Sequence, residues 1–229
     1  MDFGPHAPFP TMYWADANSS GMRVLVMELF ETSLSHFLKS RTPISEVDIR
    51  TIGCQLWSAL TYMHSSLQVV HLDTKPGNVL INPGVRKVAL TDFGMVEPIG
   101  VRNPSFDQYV TAPYRAPELF PEASVPGVLL RPSVDAWSFG CVVLELSCHR
   151  TFKDGSHELL FEGKDDKSVY RMIRKYVVGI ARKPSLGAGP IRSWQARVFR
   201  AGPWKTMVAH CCTPDRDRRE AFFKTLKFH

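Results

Sequence analysis

The chain has 229 residues, 44 % of them hydrophobic, and 28 Lys and Arg against 22 Asp and Glu give a formal charge of +6. That is enough apolar sequence for a sizeable core in one domain, or at most two. The mild positive charge has no run of five like charges and no basic patch interleaved with aromatics, so it suits an anionic nucleotide or acidic substrate and speaks against nucleic acid.

The five cysteines, Cys54, Cys141, Cys148, Cys211 and Cys212, form no CxxC set, and the adjacent pair suits neither zinc spacing nor a disulfide. No basic-then-apolar leader opens the chain, and no apolar run reaches the roughly 18 residues of a membrane helix. The expectation is an intracellular protein, cytoplasmic or nuclear, with reduced thiols and no membrane contact.

Residues 1–21 are rich in Pro, Gly, Ser and aromatics, with a short strand at Tyr13-Trp14 and a turn over Ala17 to Gly21. Arg23 to Phe30 is β-branched and apolar and predicts a buried strand. Ser33 to Lys39 is a short helix. Ser45, with Asp48 three residues on, resembles a capping box. Ile49, Ile52, Leu56, Leu60 and Met63 then line one face of a core helix, in which Trp57 and Tyr62 are packing residues.

The most informative stretch is Val69 to Gly94, which reads as loop, strand, turn, strand, loop. Val79-Leu80-Ile81 and Val88-Ala89-Leu90 are strands, and Asn82-Pro83-Gly84 is the turn, with Gly84 free to take φ > 0. Antiparallel pairing places Asn78 and Asp92 at the same end of the hairpin, close after Asp73 and Lys75. Two carboxylates, an amide and an ammonium in one small volume suit a magnesium–polyphosphate site, which needs hard oxygen ligands and a cation for the phosphates. Met95 to Pro113 has little periodicity. Val134 to Leu146 is apolar nearly all round, a buried central helix. Its Asp135 either caps the helix or finds donors elsewhere. A further helix covers Val169 to Val178, residues 182–190 are a flexible connector, and Trp194 and Trp204 are core anchors. No internal repeat is present.

His71-Leu72-Asp73-Thr74-Lys75-Pro76-Gly77-Asn78 resembles the protein-kinase catalytic loop H-R-D-x-K-x-x-N. Asp92-Phe93-Gly94 resembles the D-F-G magnesium motif and Ala116-Pro117-Glu118 the A-P-E motif, in family order and at family spacing. Asp135 and Trp137 match D-x-W-S-x-G, the motif of the kinase helix that anchors the catalytic loop, and the resemblance implies that backbone N–H groups of that loop are the donors to Asp135. Tyr114-Arg115 before Ala-Pro-Glu is similar to the group that holds the cyclin-dependent, mitogen-activated and dual-specificity tyrosine-regulated kinases.

The resemblance implies an α+β fold: a mainly helical C-terminal lobe with a short β remnant of the N-terminal lobe. Residues 1–27 would be that remnant, 28–32 the hinge and 33–229 the large lobe. It implies ATP and Mg²⁺ as cofactors and transfer of the γ-phosphoryl group to Ser/Thr hydroxyls of a protein. Asp73 would orient the hydroxyl and Lys75 would neutralise the transferring group. Asn78 and Asp92 would hold magnesium. Met27 as gatekeeper, the backbone of Glu28 and Phe30, and Leu80 would bind the nucleotide. Thr111 would join the activation segment to Asp73, and Arg115 would carry a preference for proline after the phosphoacceptor. His71, Phe93, Glu118, Asp135 and Arg219 would be structural, with Arg219 on Glu118 and Arg218 the alternative partner.

Two departures bear on function. Leu72 stands where regulated kinases carry an arginine that binds a loop phosphate, so this site is expected not to need that phosphate. Residues 1–22 contain no Gly-rich loop and no lysine. Most of the small lobe is therefore expected to be absent from the sequence, with weak turnover or none from these 229 residues alone. A kinase-fold scaffold is the alternative reading, and a small-molecule phosphotransferase, disfavoured by Ala116-Pro117-Glu118 and Asp135 to Gly140, is the third. The edge of Arg23 to Phe30 is an association risk.

Overall fold

The computed structural model describes residues 8–17, 23–40, 44–102, 111–123, 127–151, 161, 163–182 and 205–226. Trp194, Trp204, Tyr109 and the connector from residue 183 onward lie outside these.

Two packed helices at the centre set everything else. Helix α2 (Glu46–Tyr62) starts at a reciprocal cap: the Ser45 hydroxyl accepts from the Asp48 N–H at 3.1 Å, and the Asp48 carboxylate accepts from the Ser45 N–H at 3.1 Å. This satisfies two of the amide groups that every helix start leaves free. Its apolar face, Ile49, Ile52, Leu56, Ala59 and Leu60, is buried. The helix runs into one wider turn, Met63–Leu67, and stops at Gln68, which takes φ 56°. Helix α3 (Ser133–Thr151) is buried on all sides from Ser133 through Ser147. Gly140 makes this possible on one side. A Cβ there would sit 2.7 Å from Cys211 Cβ and 2.8 Å from Cys212 Sγ, so α5 (Lys205–Cys211) approaches α3 over bare backbone. Helix α6 (Arg216–Thr225), capped by Asp215, closes the bundle through Phe223, whose ring meets Phe139, Trp57 and His64.

Around these, among the described residues, lie three small antiparallel sheets. Strands β1 (Met12–Ala17) and β2 (Arg23–Met27) form a two-stranded ribbon. β3 (Thr32–Ser33) pairs with β5 (Val79–Asn82), which pairs with β6 (Lys87–Leu90) in the register Val79 to Leu90. β4 (Val69–Val70) pairs with β7 (Glu97–Pro98). Helix α1 (Leu34–Lys39) follows β3 and is capped by Ser33; α4 (Asp166–Arg182) packs on the segment that precedes α3.

Two local expectations are corrected. The Arg23 to Phe30 run is not a buried strand. Only Arg23–Met27 is extended, every residue of β2 is exposed, Leu29 is 90 % exposed, and Phe30 alone is buried. β-branched composition records what a strand could bury, not whether a layer covers it. In the hairpin turn, Gly84 does not carry the positive φ. Pro83–Val85 is one 3₁₀ turn, and Arg86 takes φ 50° at its end. Gln55 accepts the Val88 N–H and donates to the Arg86 carbonyl, both within 2.9 Å, and so holds the hairpin against α2.

Candidate active site

The site is assembled where β5 begins and β6 ends. The register that pairs Val79 with Leu90 continues one step outward, where the Thr91 N–H donates to the Asn78 carbonyl at 3.0 Å. Asn78 and Asp92 therefore leave the same end of the hairpin.

Asp73 is buried, and four groups converge on it. Lys75 Nζ donates to Asp73 Oδ2 at 2.7 Å and to Thr111 Oγ1 at 2.8 Å. The Thr111 hydroxyl donates to Asp73 Oδ1 at 2.8 Å. The Asn78 amide nitrogen donates to Asp73 Oδ2 and to the Asp73 carbonyl, each at 2.9 Å. The Thr111 N–H adds a longer 3.4 Å contact to Oδ1. The carboxylate is thus fixed by charge-assisted bonds on both oxygens, with Lys75 still a quarter exposed on the open side.

Asp92 behaves differently. It is exposed and takes φ 64°, a left-handed backbone that an aspartate enters at a cost of roughly 1–3 kcal/mol. Its carboxylate leans over Gly94, where an added Cβ would meet Oδ1 at 3.4 Å. The amide nitrogen of Asn78 is spent on Asp73, which leaves its carbonyl oxygen as the remaining ligand atom. One amide oxygen and one free carboxylate fit Mg²⁺, which takes few protein oxygens and completes its shell with phosphate and water. Among the described residues there is no group of three His, Cys, Asp or Glu that would hold a metal by itself.

Below the site, Asp135 of α3 is fully buried. Its Oδ2 accepts the His71 N–H at 2.8 Å and lies 2.8 Å from His64 Nε2; its Oδ1 accepts the Leu72 N–H at 2.9 Å. Burial alone would raise its pKa, but His64, His71 and these amides outweigh it and hold the carboxyl below its ordinary value. The two amide bonds clamp Leu72 at φ 69°, another strained residue, with its side chain in the core. Burial depresses the His71 pKa against the pull of Asp135, the Thr91 carbonyl, Asp73 and Asp92, so the ring is neutral at pH 7. In that form Nε2–H donates to the Thr91 carbonyl at 3.1 Å and Nδ1 accepts the Asp73 N–H at 3.3 Å. One neutral ring ties the loop at Asp73 to the residue before Asp92. Phe93 lies edge-on to it at 5.7 Å.

The remaining predicted residues are more scattered. Leu80 is half-buried on β5 opposite Ala89, and Phe30 is buried beside the Lys87 ammonium. The Glu28 carboxylate is ion-paired with Lys87, and its N–H is given to the Thr11 carbonyl. Met27 is 40 % exposed at the end of the ribbon. Arg115 is buried, bonded to Asp166 at 2.8 Å and stacked over Phe120. Glu118 pairs with Arg219 and, at 3.4 Å, with Arg216, whereas Arg218 turns to Asp215.

Sequence reasoning missed three supports. His64 reaches Asp135 because the wide turn after α2 redirects it, and no local pattern announces such a turn. Phe9 packs its ring on both Tyr62 and Phe93, and Pro8 accepts the Leu90 N–H. Tyr114 donates to the buried Glu145 carboxyl at 2.7 Å, across 31 residues. A lone glutamate in the apolar α3 was the one signal available for that pair.

The sequence profile of the protein kinase domain matches residues 12–228. The chain belongs to the protein kinase family. Among curated relatives, this kinase chain is 31 % identical over 175 residues to mitogen-activated protein kinase 5 of rice (Oryza sativa subsp. indica), covering 76 % of the chain and 43 % of the relative. It is 35 % identical over 126 residues to the serine/threonine-protein kinase RIM11/MSD1 of Saccharomyces cerevisiae, 53 % of the chain and 33 % of that protein. The chain thus spans less than half the length of the relatives it matches. A solved structure of the yeast RNA Pol II CTD kinase CTDK-1 complex aligns over 99 % of the chain and 79 % of its own, with a TM-score of 0.71 at 21 % identity, which shows a protein-kinase fold. No helix among the described residues is long and apolar enough to cross a membrane.

Proposed function

We propose that this chain carries the catalytic lobe of a serine/threonine protein kinase that moves the γ-phosphoryl group of ATP to a Ser or Thr hydroxyl of a protein. Residues 1–27 lie on the small-lobe side, 28–32 form the hinge and 33–229 the large lobe. The observation that carries the reading is the Asp73 carboxylate, held at once by Lys75, Thr111 and Asn78. Phosphoryl transfer asks a protein for positioning and charge neutralisation more than for covalent chemistry. Asp73 orients the incoming hydroxyl and takes its proton. Lys75, already bridging Asp73 and Thr111, offsets charge on the transferring group. Asn78 and Asp92 would hold Mg²⁺, which neutralises the polyphosphate. Leu80, the hinge backbone at Glu28 and Phe30, and Met27 bound the adenine side. Arg115 does not reach out to a substrate; buried on Asp166, it shapes the segment where a proline preference would be expressed.

The test is transfer of labelled phosphate from ATP to a Ser/Thr peptide by the wild type, Asp73→Asn and Asp92→Ala. Wild-type turnover that falls at least about 100-fold in either variant supports the reading. Signals equal to background in all three would leave a kinase-fold binding module. One observation favours that second reading: the ribbon before the hinge is exposed along all of β2.

A further inference from the structure

Helix α4 separates its chemistry by face. At 100° per residue, Val169 and Ile173 point into the core, while Lys167, Arg171, Arg174 and Lys175 fall within one arc of about 100° on the opposite side. All four are exposed, as is Lys164 just ahead of the helix. No ion pair among the described residues engages them. Three acids lie nearby among the described residues. Asp166 is bonded to Arg115, Asp165 caps the Ser168 N–H at 2.7 Å while facing Lys167 and Arg171, and Glu122 lies beside Tyr170, whose hydroxyl donates to its carbonyl at 3.3 Å. Among the described residues, five exposed cations stand against three acids, one of them, Asp166, committed to Arg115, and this local excess is concealed by the modest net charge of the chain.

The position of the strip indicates what it meets. α4 packs on Ala112–Tyr114 and Pro117–Leu119, and the Tyr170 ring packs at a tilt on Phe120, 5.2 Å between centroids. That is the segment whose Thr111 is bonded to Asp73. We propose that this exposed face of α4 docks an acidic segment of the protein substrate, away from the residues that enter the site; the word substrate rests on the kinase reading above. Among the described residues, no aromatic platform of the kind that binds single-stranded nucleic acid lies on the face, since Tyr170 is turned onto Phe120. Exposed apolar residues that would enter a lipid surface are missing as well between Lys167 and Lys175, where Val169 and Ile173 are buried and Met172 is half-buried.

The experiment measures fluorescence anisotropy of a fluorescein-labelled serine peptide flanked by Asp and Glu, and of its Asn/Gln counterpart, with the full chain. The wild type is expected to favour the acidic peptide about tenfold at low salt, since each exposed pair contributes about 1.4- to 5-fold. The preference shrinks at high salt. Lys167→Gln, Arg171→Gln and Arg174→Gln combined remove it, and Lys39→Gln on α1 leaves it intact. Equal binding of the two peptides by the wild type, or a preference that survives the triple substitution, overturns the proposal. So does charge-dependent binding of poly-uridine RNA or phosphatidylserine vesicles without preference for the acidic peptide. Phosphate transfer to the neutral peptide is read separately. Transfer without acid preference sinks the strip alone; acid preference without transfer sinks the kinase reading and leaves a docking strip.

Discussion

Glu145 makes this fold sensitive to pH below neutrality. It sits on α3, 4 % exposed, and burial pushes its pKa from 4.5 up to about 7 despite the hydrogen bond from Tyr114. A carboxyl raised in the folded state stabilises fully below its unfolded value and loses that contribution as pH rises through the folded one. The window is therefore about pH 4.5 to 7. About 2.5 units at 1.36 kcal/mol each give roughly 3 kcal/mol lost between acid and neutral pH. Glu145→Gln keeps an oxygen for the Tyr114 hydroxyl and removes the titration. Other groups titrate in the same range, so the quantity to read is the difference between the two proteins. In calorimetric melts from pH 5 to 8.5, the Gln variant should gain on the wild type by on the order of 6–10 °C toward the alkaline end. Tyr114→Phe removes the bond that opposes the rise, so its loss of stability should extend to higher pH than in the wild type. Parallel melting curves for wild type and Glu145→Gln would refute the reasoning.

Gly140→Ala drives a methyl into Cys211 and Cys212 and should cost at least about 1–3 kcal/mol, read as a lower urea midpoint. Arg219→Ala strips the buried partner of Glu118 and should cost about 3–5 kcal/mol, whereas Arg218→Ala, on the exposed Asp215 pair, should cost under about 1 kcal/mol; equal losses would place the clamp elsewhere. Leu72 is buried where an arginine would receive a loop phosphate, so phosphatase treatment should leave phosphotransfer to a peptide unchanged. A large gain on phosphorylating the loop would contradict this.

Much of the site was legible because its residues are local. Asp73, Lys75 and Asn78 lie within six positions, and one hairpin of standard register brings Asp92 back to them, so spacing alone implied a common volume. The caps and apolar face of α2 were legible for the same reason: helix starts and periodicity are written in adjacent residues. For Asp135, a cap and a buried acceptor look alike in local sequence; the D-x-W-S-x-G resemblance implied amides of the loop at Asp73 as its donors, and the approach of α3 to that loop turns its oxygens to His71 and Leu72. Chain order likewise said nothing of His64, Phe9 or Glu145, whose partners lie 71, 84 and 31 residues away. The ribbon marks the same boundary from the other side. Composition decided that Arg23–Met27 would be extended, but burial belongs to whatever layer lies over a strand, and no property of the strand itself supplies that layer. Local chemistry thus determined which groups this chain brings to its hairpin, and packing between distant elements decided how they are held and which charges stay exposed on α4.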